Sequence, residues 1–309
     1  MVFKCLLCGA NEMSVIKQKT RNSTHRIVAC SKCGLQQLFP LPSVEEDKEY
    51  YDCNLHDRQV TPDFNIDQIY DKFYPQNVYR MQYLKDDVKI DKQWHILDYA
   101  CGYGFLMELL LKEGYNVDGL EISEKKIEII RQRSGQSGGG VSTHDRLKTF
   151  NLMEKDVMVP DDMYEKYDLV TMFHLIEHIT TPVDFLQKVA SLIKPNGYLL
   201  MEMPNVANLI MDVSPQFSDF FYIRDHVAYY TPELLKRMVE KAGYTVIKQR
   251  GTQIYSILNH MNWIINGIPQ YINPSYDVPA ELKWLDDYYK TYLDKTIKSE
   301  YMYLLAKKI

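Results

Sequence analysis

Residues 95–122 read H-I-L-D-Y-A-C-G-Y-G-F-L-M-E-L-L-L-K-E-G-Y-N-V-D-G-L-E-I. The apolar pair Ile96-Leu97 runs into Asp98, and a turn of small residues follows, Ala100-Cys101-Gly102-Tyr103-Gly104. An amphipathic stretch then reaches Lys112, Gly114 stops it, and a second apolar run ends in an acid, Glu121. Strand, glycine turn, helix, strand and acid fit inside the roughly 30-residue length of a βαβ unit. Gly102 and Gly104 let the backbone turn tightly and approach a ligand. The helix that starts there presents free N–H groups. The acid about 20 residues on stands where a carboxylate can accept from both ribose hydroxyls. The segment is therefore expected to bind a nucleoside. It is not the dinucleotide fingerprint G-x-G-x-x-G, because Ala100, Gly102 and Phe105 occupy its three positions.

Asp98 followed by x-A-x-G-x-G resembles motif I of the class I S-adenosylmethionine-dependent methyltransferases. The resemblance continues downstream in Y-D-L-V, H-L-I-E-H-I-T-T-P-V-D-F-L and L-I-K-P-N-G-Y-L-L-M-E-M-P-N, and again in D-H-V-A-Y-Y-T-P-E-L-L. It covers about residues 93–250, returns at 300–309, and is nearest to the group that includes ubiquinone-pathway O-methyltransferases and sugar methyltransferases. It implies an α/β fold: a Rossmann-like seven-stranded sheet with helices on both faces. It also implies that Asp98, Ala100, Cys101, Gly102, Gly104, Glu121, Ile122 and Phe173 contact S-adenosyl-L-methionine. An acid after the third strand would hold the adenine; Asp156 fits that place, with Asn151 as the alternative. The strand itself is expected at 150–152 or 156–158.

Further along, 167–172 reads as a buried strand, 183–193 as a helix, 194–197 as a turn and 198–202 as the next strand. Residues 244–249 and 301–307 are expected to pair antiparallel at the sheet's end. About fifty residues with helical patterning lie between them, including Trp263, Trp284, Tyr288, Tyr289 and Tyr292. They read as a packed helical cap or a lid over the cleft. His174, Glu177 and His178 follow the fourth strand and share one face of a helical turn. Histidine is the natural base near neutral pH. These three, with His226 in the loop before the last helix, are the candidate catalytic residues, and the adjacent Glu177-His178 matches a pair proposed as the base in sugar methyltransferases.

The N-terminus carries a separate signal. Cys5-x-x-Cys8 and Cys30-x-x-Cys33 form a C-x₂-C…C-x₂-C pattern whose gap is close to that of a zinc ribbon. Four thiolates complete a closed tetrahedral site, so the zinc would be structural. Before Gly34 stand six basic residues against Glu12 alone, a local excess of five positive charges. The whole chain of 309 residues is globular in composition and carries net charge −5, which gives no global reason to expect nucleic acid. No apolar run reaches the length of a membrane span, and the N-terminus lacks a signal-peptide layout, so a cytoplasmic protein is expected.

The sequence thus predicts a zinc ribbon over 1–42, a helical linker with cofactor-covering helices over 43–92, and a methyltransferase domain over 93–309 with a helical insertion at about 253–298. Helices are expected at 45–51, 66–88 and 124–133, with Tyr79 of the second covering the cofactor. The expected activity is methyl transfer from S-adenosylmethionine to a small-molecule acceptor, a sugar or phosphosugar, on oxygen, nitrogen or carbon. The competing expectation is a binding module whose ribbon engages nucleic acid or a partner protein.

Overall fold

The computed structural model describes residues 2–43, 46, 65–136, 146–148, 158–268 and 278–309. All of the expected helix at 45–51 except residue 46, and the adenine candidates Asp156 and Asn151, lie outside these residues. Eleven strands occur among the described residues. They are β1 (Met13–Lys17), β2 (Arg26–Cys30), β3 (Gln36–Phe39), β4 (His95–Tyr99), β5 (Asn116–Leu120), β6 (Leu147–Lys148), β7 (Tyr167–Phe173), β8 (Ile193–Pro204), β9 (Ala228–Tyr229), β10 (Tyr244–Thr252) and β11 (Tyr301–Lys308). Seven form one sheet in the order β10-β11-β8-β7-β4-β5-β6, and four form another in the order β1-β2-β3-β9. The seven-stranded order, with helices following β4, β5, β7, β8 and β10 among the described residues, is the Rossmann-like class I methyltransferase arrangement. The sheet changes direction of growth at β4, and in such sheets ligands bind at the carboxyl ends of the strands flanking that point.

The chain divides into two compact units, one of Met1–Leu41, His174–Asp184 and Glu202–Ala306, the other of Pro42–Phe173, Phe185–Met201 and Lys307–Ile309. In the second, β4 pairs in parallel with β5 (Ile96 opposite Val117) and with β7 (Leu97 opposite Val170). Helix α1 (Ile66–Tyr83) precedes β4, α2 (Phe105–Lys112) joins β4 to β5, α3 (Glu124–Gln136) follows β5, and α4 (Pro182–Leu192) lies between β7 and β8. Asn65 caps α1 by accepting from the Asp67 and Gln68 amides, and Ser123 accepts from the Lys126 amide at the start of α3. Each cap is worth about 1 kcal/mol. Leu97, Met107, Leu110, Val117 and Val170 are fully buried, each contributing about 1.5–3 kcal/mol of transfer free energy.

Two expectations change here. The helix expected over 66–88 ends at Tyr83, and a single π-turn, Leu84–Val88, closes on left-handed Lys89. After α3, Leu147 and Lys148 pair with Gly119 and Leu120 of β5, and the positions expected for this strand, 150–152 and all but residue 158 of 156–158, lie outside the described residues. The turn expected at 194–197 is instead the first part of β8, with Asn196 at φ +66. The Glu165 and Lys166 amides donate to the Ser191 and Leu192 carbonyls, so pairing begins ahead of this tetrapeptide and carries through it.

In the other unit, β1, β2 and β3 form an antiparallel ribbon, with Met13 opposite Cys30 and Arg26 opposite Phe39. A strand from far along the chain, β9, completes this sheet, placing Tyr229 opposite Gln36. Ile27, Leu38, Val206, Tyr222 and Tyr229 share a core there, and the Tyr222 hydroxyl donates to Gln36 Oε1 at 2.6 Å. Helices α5 (Leu209–Val213), α6 (Pro215–Phe221) and α7 (Pro232–Lys241) follow β8. The insertion supplies α8 (Ile257–Asn266) and α9 (Lys283–Thr296). Trp263 of α8 packs with Ile210 and Phe217, whereas Trp284, Tyr288 and Tyr292 of α9 are exposed. Among the described residues no helix is long and apolar enough to cross a membrane.

Candidate functional site

A cavity of about 170 Å³ opens at the end of β4. It is lined by Asp98, Ala100, Cys101, Gly102 and Tyr103 of the turn, by Phe105 and Leu106 of α2, by Phe173 at the end of β7, and by Phe73, Asn77 and Arg80 of α1. The turn is built by backbone that most residues avoid: Ala100, Gly102 and Gly104 all have positive φ, at +57, +59 and +71. A Cβ on Gly104 would meet the Ile130 side chain at 3.3 Å, whereas one on Gly102 would meet nothing within 4 Å. Glycine is thus needed at 104 for close packing as well as for φ, and at 102 for φ alone. Gly104 caps α2 with no side chain, so the first amides of that helix retain their donor capacity.

Asp98 is 4% exposed and accepts from the Thr171 hydroxyl at 2.8 Å. Burial pushes its carboxyl up to about 6, with the Glu121 charge adding, against the opposing pull of Thr171 and of the Arg80 guanidinium. That guanidinium sits 4.4 Å from the Phe173 ring centroid. The cavity therefore combines an acid, a cation, free amides and aromatic faces. Those groups fit a zwitterionic amino acid joined to a nucleoside, which is the chemistry of S-adenosylmethionine.

Of the expected contacts, Asp98, Ala100, Cys101, Gly102 and Phe173 line this cavity, whereas Gly104, Glu121 and Ile122 are not among its lining residues. Glu121 accepts from the Gly102 amide with Oε2 and from the Ser123 amide with Oε1, both at 2.9 Å, so its carboxylate also clamps the turn. Ile122 is half-exposed. Tyr79 does not line the cavity and packs edge-on against Tyr83 instead. Sequence reasoning passed over Phe73, Asn77 and Arg80, which recur at steps of four and three and so share one face of α1. That periodicity was the available signal.

The four candidate catalytic residues come together in one unit. Glu177 and His178 lie in a 3₁₀ turn, Ile176–His178, rather than in a helix. His174 Nδ1 is 3.4 Å from Glu177 Oε1, and His178 Nε2 is 4.0 Å from the same oxygen. The His178 and His226 rings stand edge to face with centroids 5.0 Å apart, and donor atoms of Glu177, His178 and His226 all lie within 4.8 Å of one another. His178 Nδ1 is 2.7 Å from the Asp225 carbonyl. A carbonyl only accepts, so Nδ1 carries the proton and Nε2 of the neutral ring holds the lone pair. Burial opposes the Glu177 charge, but His174, His178 and His226 together hold its carboxyl down at about 2. Burial, reinforced by His178, lowers His226 to about 3, so that ring is neutral at physiological pH. Neither Glu177 oxygen has a well-formed hydrogen bond among the described residues, nor does His226 Nδ1.

The ribbon cysteines also converge. The Cys5 and Cys33 sulfurs are 3.5 Å apart, as are those of Cys8 and Cys30, and all four lie within 4.8 Å of one another. Zinc–sulfur bonds of about 2.3 Å make a tetrahedron with edges of about 3.8 Å, so the set fits a zinc ion. The Gly9 and Gly34 amides donate back to the Cys5 and Cys30 carbonyls at 2.9 Å, which closes each knuckle.

Comparison with known proteins gives a consistent picture. The family model described as "Methyltransferase domain" matches residues 67–249. The ubiquinone biosynthesis O-methyltransferase of Coxiella burnetii is 23% identical over 197 residues, covering 60% of this chain and 78% of that enzyme. Its counterpart from Aeromonas salmonicida is 26% identical over 191 residues, covering 59% and 77%. Among solved structures, a SAM-dependent methyltransferase from Archaeoglobus fulgidus aligns with a TM-score of 0.49 at 18% identity, covering 79% of this chain and all of that one.

Proposed function

Because the chain belongs to the methyltransferase-domain family and is an S-adenosylmethionine-dependent methyltransferase acting on a small molecule, we propose that its acceptor is a hydroxyl group of a sugar or phosphosugar. The observation that carries the choice of hydroxyl is the buried acid Glu177 set among His174, His178 and His226. An amine attacks a methyl group with its own lone pair, whereas a hydroxyl must first lose its proton. A neutral imidazole backed by a carboxylate is suited to take that proton. The relatives in which oxygen is the named target support the same choice. The sugar class rests on the adjacent Glu177-His178, which matches a pair proposed as the base in sugar methyltransferases.

When bound, S-adenosylmethionine supplies an electrophilic methyl group on a sulfonium. The chain's residues do the rest. Asp98, Arg80 and the free amides of α2 would hold the cofactor's charged groups, Phe73, Phe105 and Phe173 its apolar faces, and Glu121 the ribose. His178 takes the acceptor proton on Nε2, and Glu177 stabilises the imidazolium that forms. The ribbon binds one structural zinc through Cys5, Cys8, Cys30 and Cys33.

The test is release of S-adenosylhomocysteine from a panel of sugars, sugar phosphates, phenols and amines, with wild type and His178→Ala. Turnover of a sugar hydroxyl that falls at least about 100-fold in the variant is expected for loss of a general base. Turnover confined to amines, or unaffected by the substitution, refutes the proposal.

A further inference from the structure

His174 is the residue through which two buried acids meet. It follows the last residue of β7 and adopts φ +53, a costly conformation for a residue with a Cβ. Its amide donates to the Glu202 carbonyl at 2.8 Å. Its Nε2 lies 3.4 Å from Glu202 Oε1, and its Nδ1 lies 3.4 Å from Glu177 Oε1. Glu202 thus holds His174 by both backbone and side chain. The Tyr301 ring meets the imidazole edge-on at 5.1 Å. Glu177 and Glu202 are 2% and 1% exposed.

A neutral imidazole has one N–H and one lone pair. With a carboxylate at each nitrogen, the neutral form would set its lone pair against an anion. Only the imidazolium offers both acids a donor. Two buried carboxylates without a cation between them would also be expensive, because a buried charge is tolerated only when paired. The strained backbone at His174 is consistent with a residue whose placement the surroundings over-determine.

We propose that Glu202 and Glu177 hold His174 as a fixed imidazolium, so that Glu202–His174–Glu177 is a buried positioning relay that keeps Glu177 charged beside His178. His174 is then no candidate base, since each of its nitrogens faces a carboxylate oxygen at 3.4 Å. Glu202 acts through His174 and is a positioning residue. The proton leaving the acceptor oxygen goes to His178 Nε2, whose ring is already oriented by Nδ1 donating to Asp225. This last link rests on the proposed function; the charge on His174 stands without it.

The other groups around His174 agree with this. Burial, with Tyr255, Glu300 and Glu202 adding, raises the Tyr301 phenol well above its ordinary range, so it stays neutral. His178 and His226 face Glu177 from the other side, and Asp225 adjoins His226. Glu300 is itself engaged by buried His260, whose Nε2 is 3.0 Å from Oε1.

The experiment is imidazole ¹⁵N NMR of the full-length protein between pH 6 and pH 10. With eight histidines in the chain the signals are few enough to assign, His174 by its loss in His174→Gln. His174 is expected to show both nitrogens protonated up to at least about pH 8, well above the ordinary midpoint near 6.5. Glu202→Gln should move the midpoint down by one pH unit or more. A singly protonated His174 at pH 7.5 in the wild type overturns the proposal. So does a midpoint unmoved by Glu202→Gln, or a divalent ion held among these acids in place of the His174 proton. Should Glu202→Gln fail to fold, the wild-type titration decides alone. Failure to methylate any sugar would count against the proposed function and leave this titration unaffected.

Discussion

Replacing Asp98 by Asn is expected to stabilise the cofactor-free protein while weakening cofactor binding. Asp98 is buried, and its carboxyl is raised from 3.8 to about 6. A raised carboxyl means that ionisation is harder in the folded state than in the unfolded one. The penalty is absent below the unfolded value, grows between pH 3.8 and about 6, and is complete above that. At about 1.4 kcal/mol per unit, it amounts to about 3 kcal/mol at pH 7.5 and about 1 kcal/mol at pH 4.5. Asn keeps an oxygen to accept from Thr171, and its new N–H₂ group offsets about 1–2 kcal/mol if it finds no acceptor. A net gain of about 1–2 kcal/mol should raise the melting temperature of the apo protein by about 2–8 °C at pH 7.5. The gain should shrink by about 2 kcal/mol at pH 4.5. The same substitution removes the carboxylate that interacts with Arg80 in the cavity lining. Affinity for S-adenosylhomocysteine, measured by calorimetry, should therefore fall at least about 10-fold, as for loss of a charged hydrogen bond. Thermal scans of both proteins at the two pH values check the reasoning. A variant equally destabilised at both would refute it, because the cost would then come from lost contacts and not from a buried charge.

Other outcomes follow from the same geometry. Glu121→Ala leaves the Gly102 and Ser123 amides without their acceptor; a loss of about 1–3 kcal/mol is expected in denaturant titration, together with weaker cofactor binding. Ala100→Gly relieves a left-handed alanine at φ +57, and should leave stability unchanged or raise it by up to about 1 kcal/mol, with cofactor affinity retained. Cys8→Ser with Cys30→Ser should abolish zinc in native mass spectrometry and lower the melting temperature, since the knuckles feed β2 and the sheet that β9 completes. Trp263→Ala should cost about 3–5 kcal/mol by opening a cavity against Ile210 and Phe217; a smaller loss would mean that α8 collapses onto the gap. His226 has a folded value near 3 against 6.5 unfolded, so it should make the protein less stable as pH falls from 6.5 toward 3. His226→Gln should flatten that limb.

The sequence by itself determined the parts that depend on short-range spacing. The strand–turn–helix–strand of residues 95–122 was legible because two apolar runs, a left-handed turn and a 3.6-residue period all fall within one window. The cysteine knuckles were legible because two thiolates on a tight turn need a fixed spacing. The cap at Ser123 follows the same logic, its side chain serving an amide three residues on. The grouping of His174, Glu177 and His178 was legible too, although a 3₁₀ turn brings them together rather than a helix.

The tertiary structure decided what depends on register between distant segments. Nothing local in Ala228-Tyr229 marks it as the fourth strand of the N-terminal ribbon; only pairing with Gln36 and Gln37 makes it so. Thr171 reaches Asp98 from 73 residues away because β4 and β7 pair in parallel with those two residues opposite each other. Leu147 and Lys148 are strand because β5 offers them an edge. Arg80 lies outside every quoted motif, and the run Y-L-L-M-E-M-P-N that contains Glu202 does not say what its carboxylate meets. The first enters the cofactor cavity because of the face that α1 presents, and the second meets His174 because β8 brings its carbonyl and carboxylate to the residue after β7. Propensity and period act over a few residues, whereas these contacts are set by which backbone hydrogen bonds the sheet makes, and that choice is made by the whole fold at once.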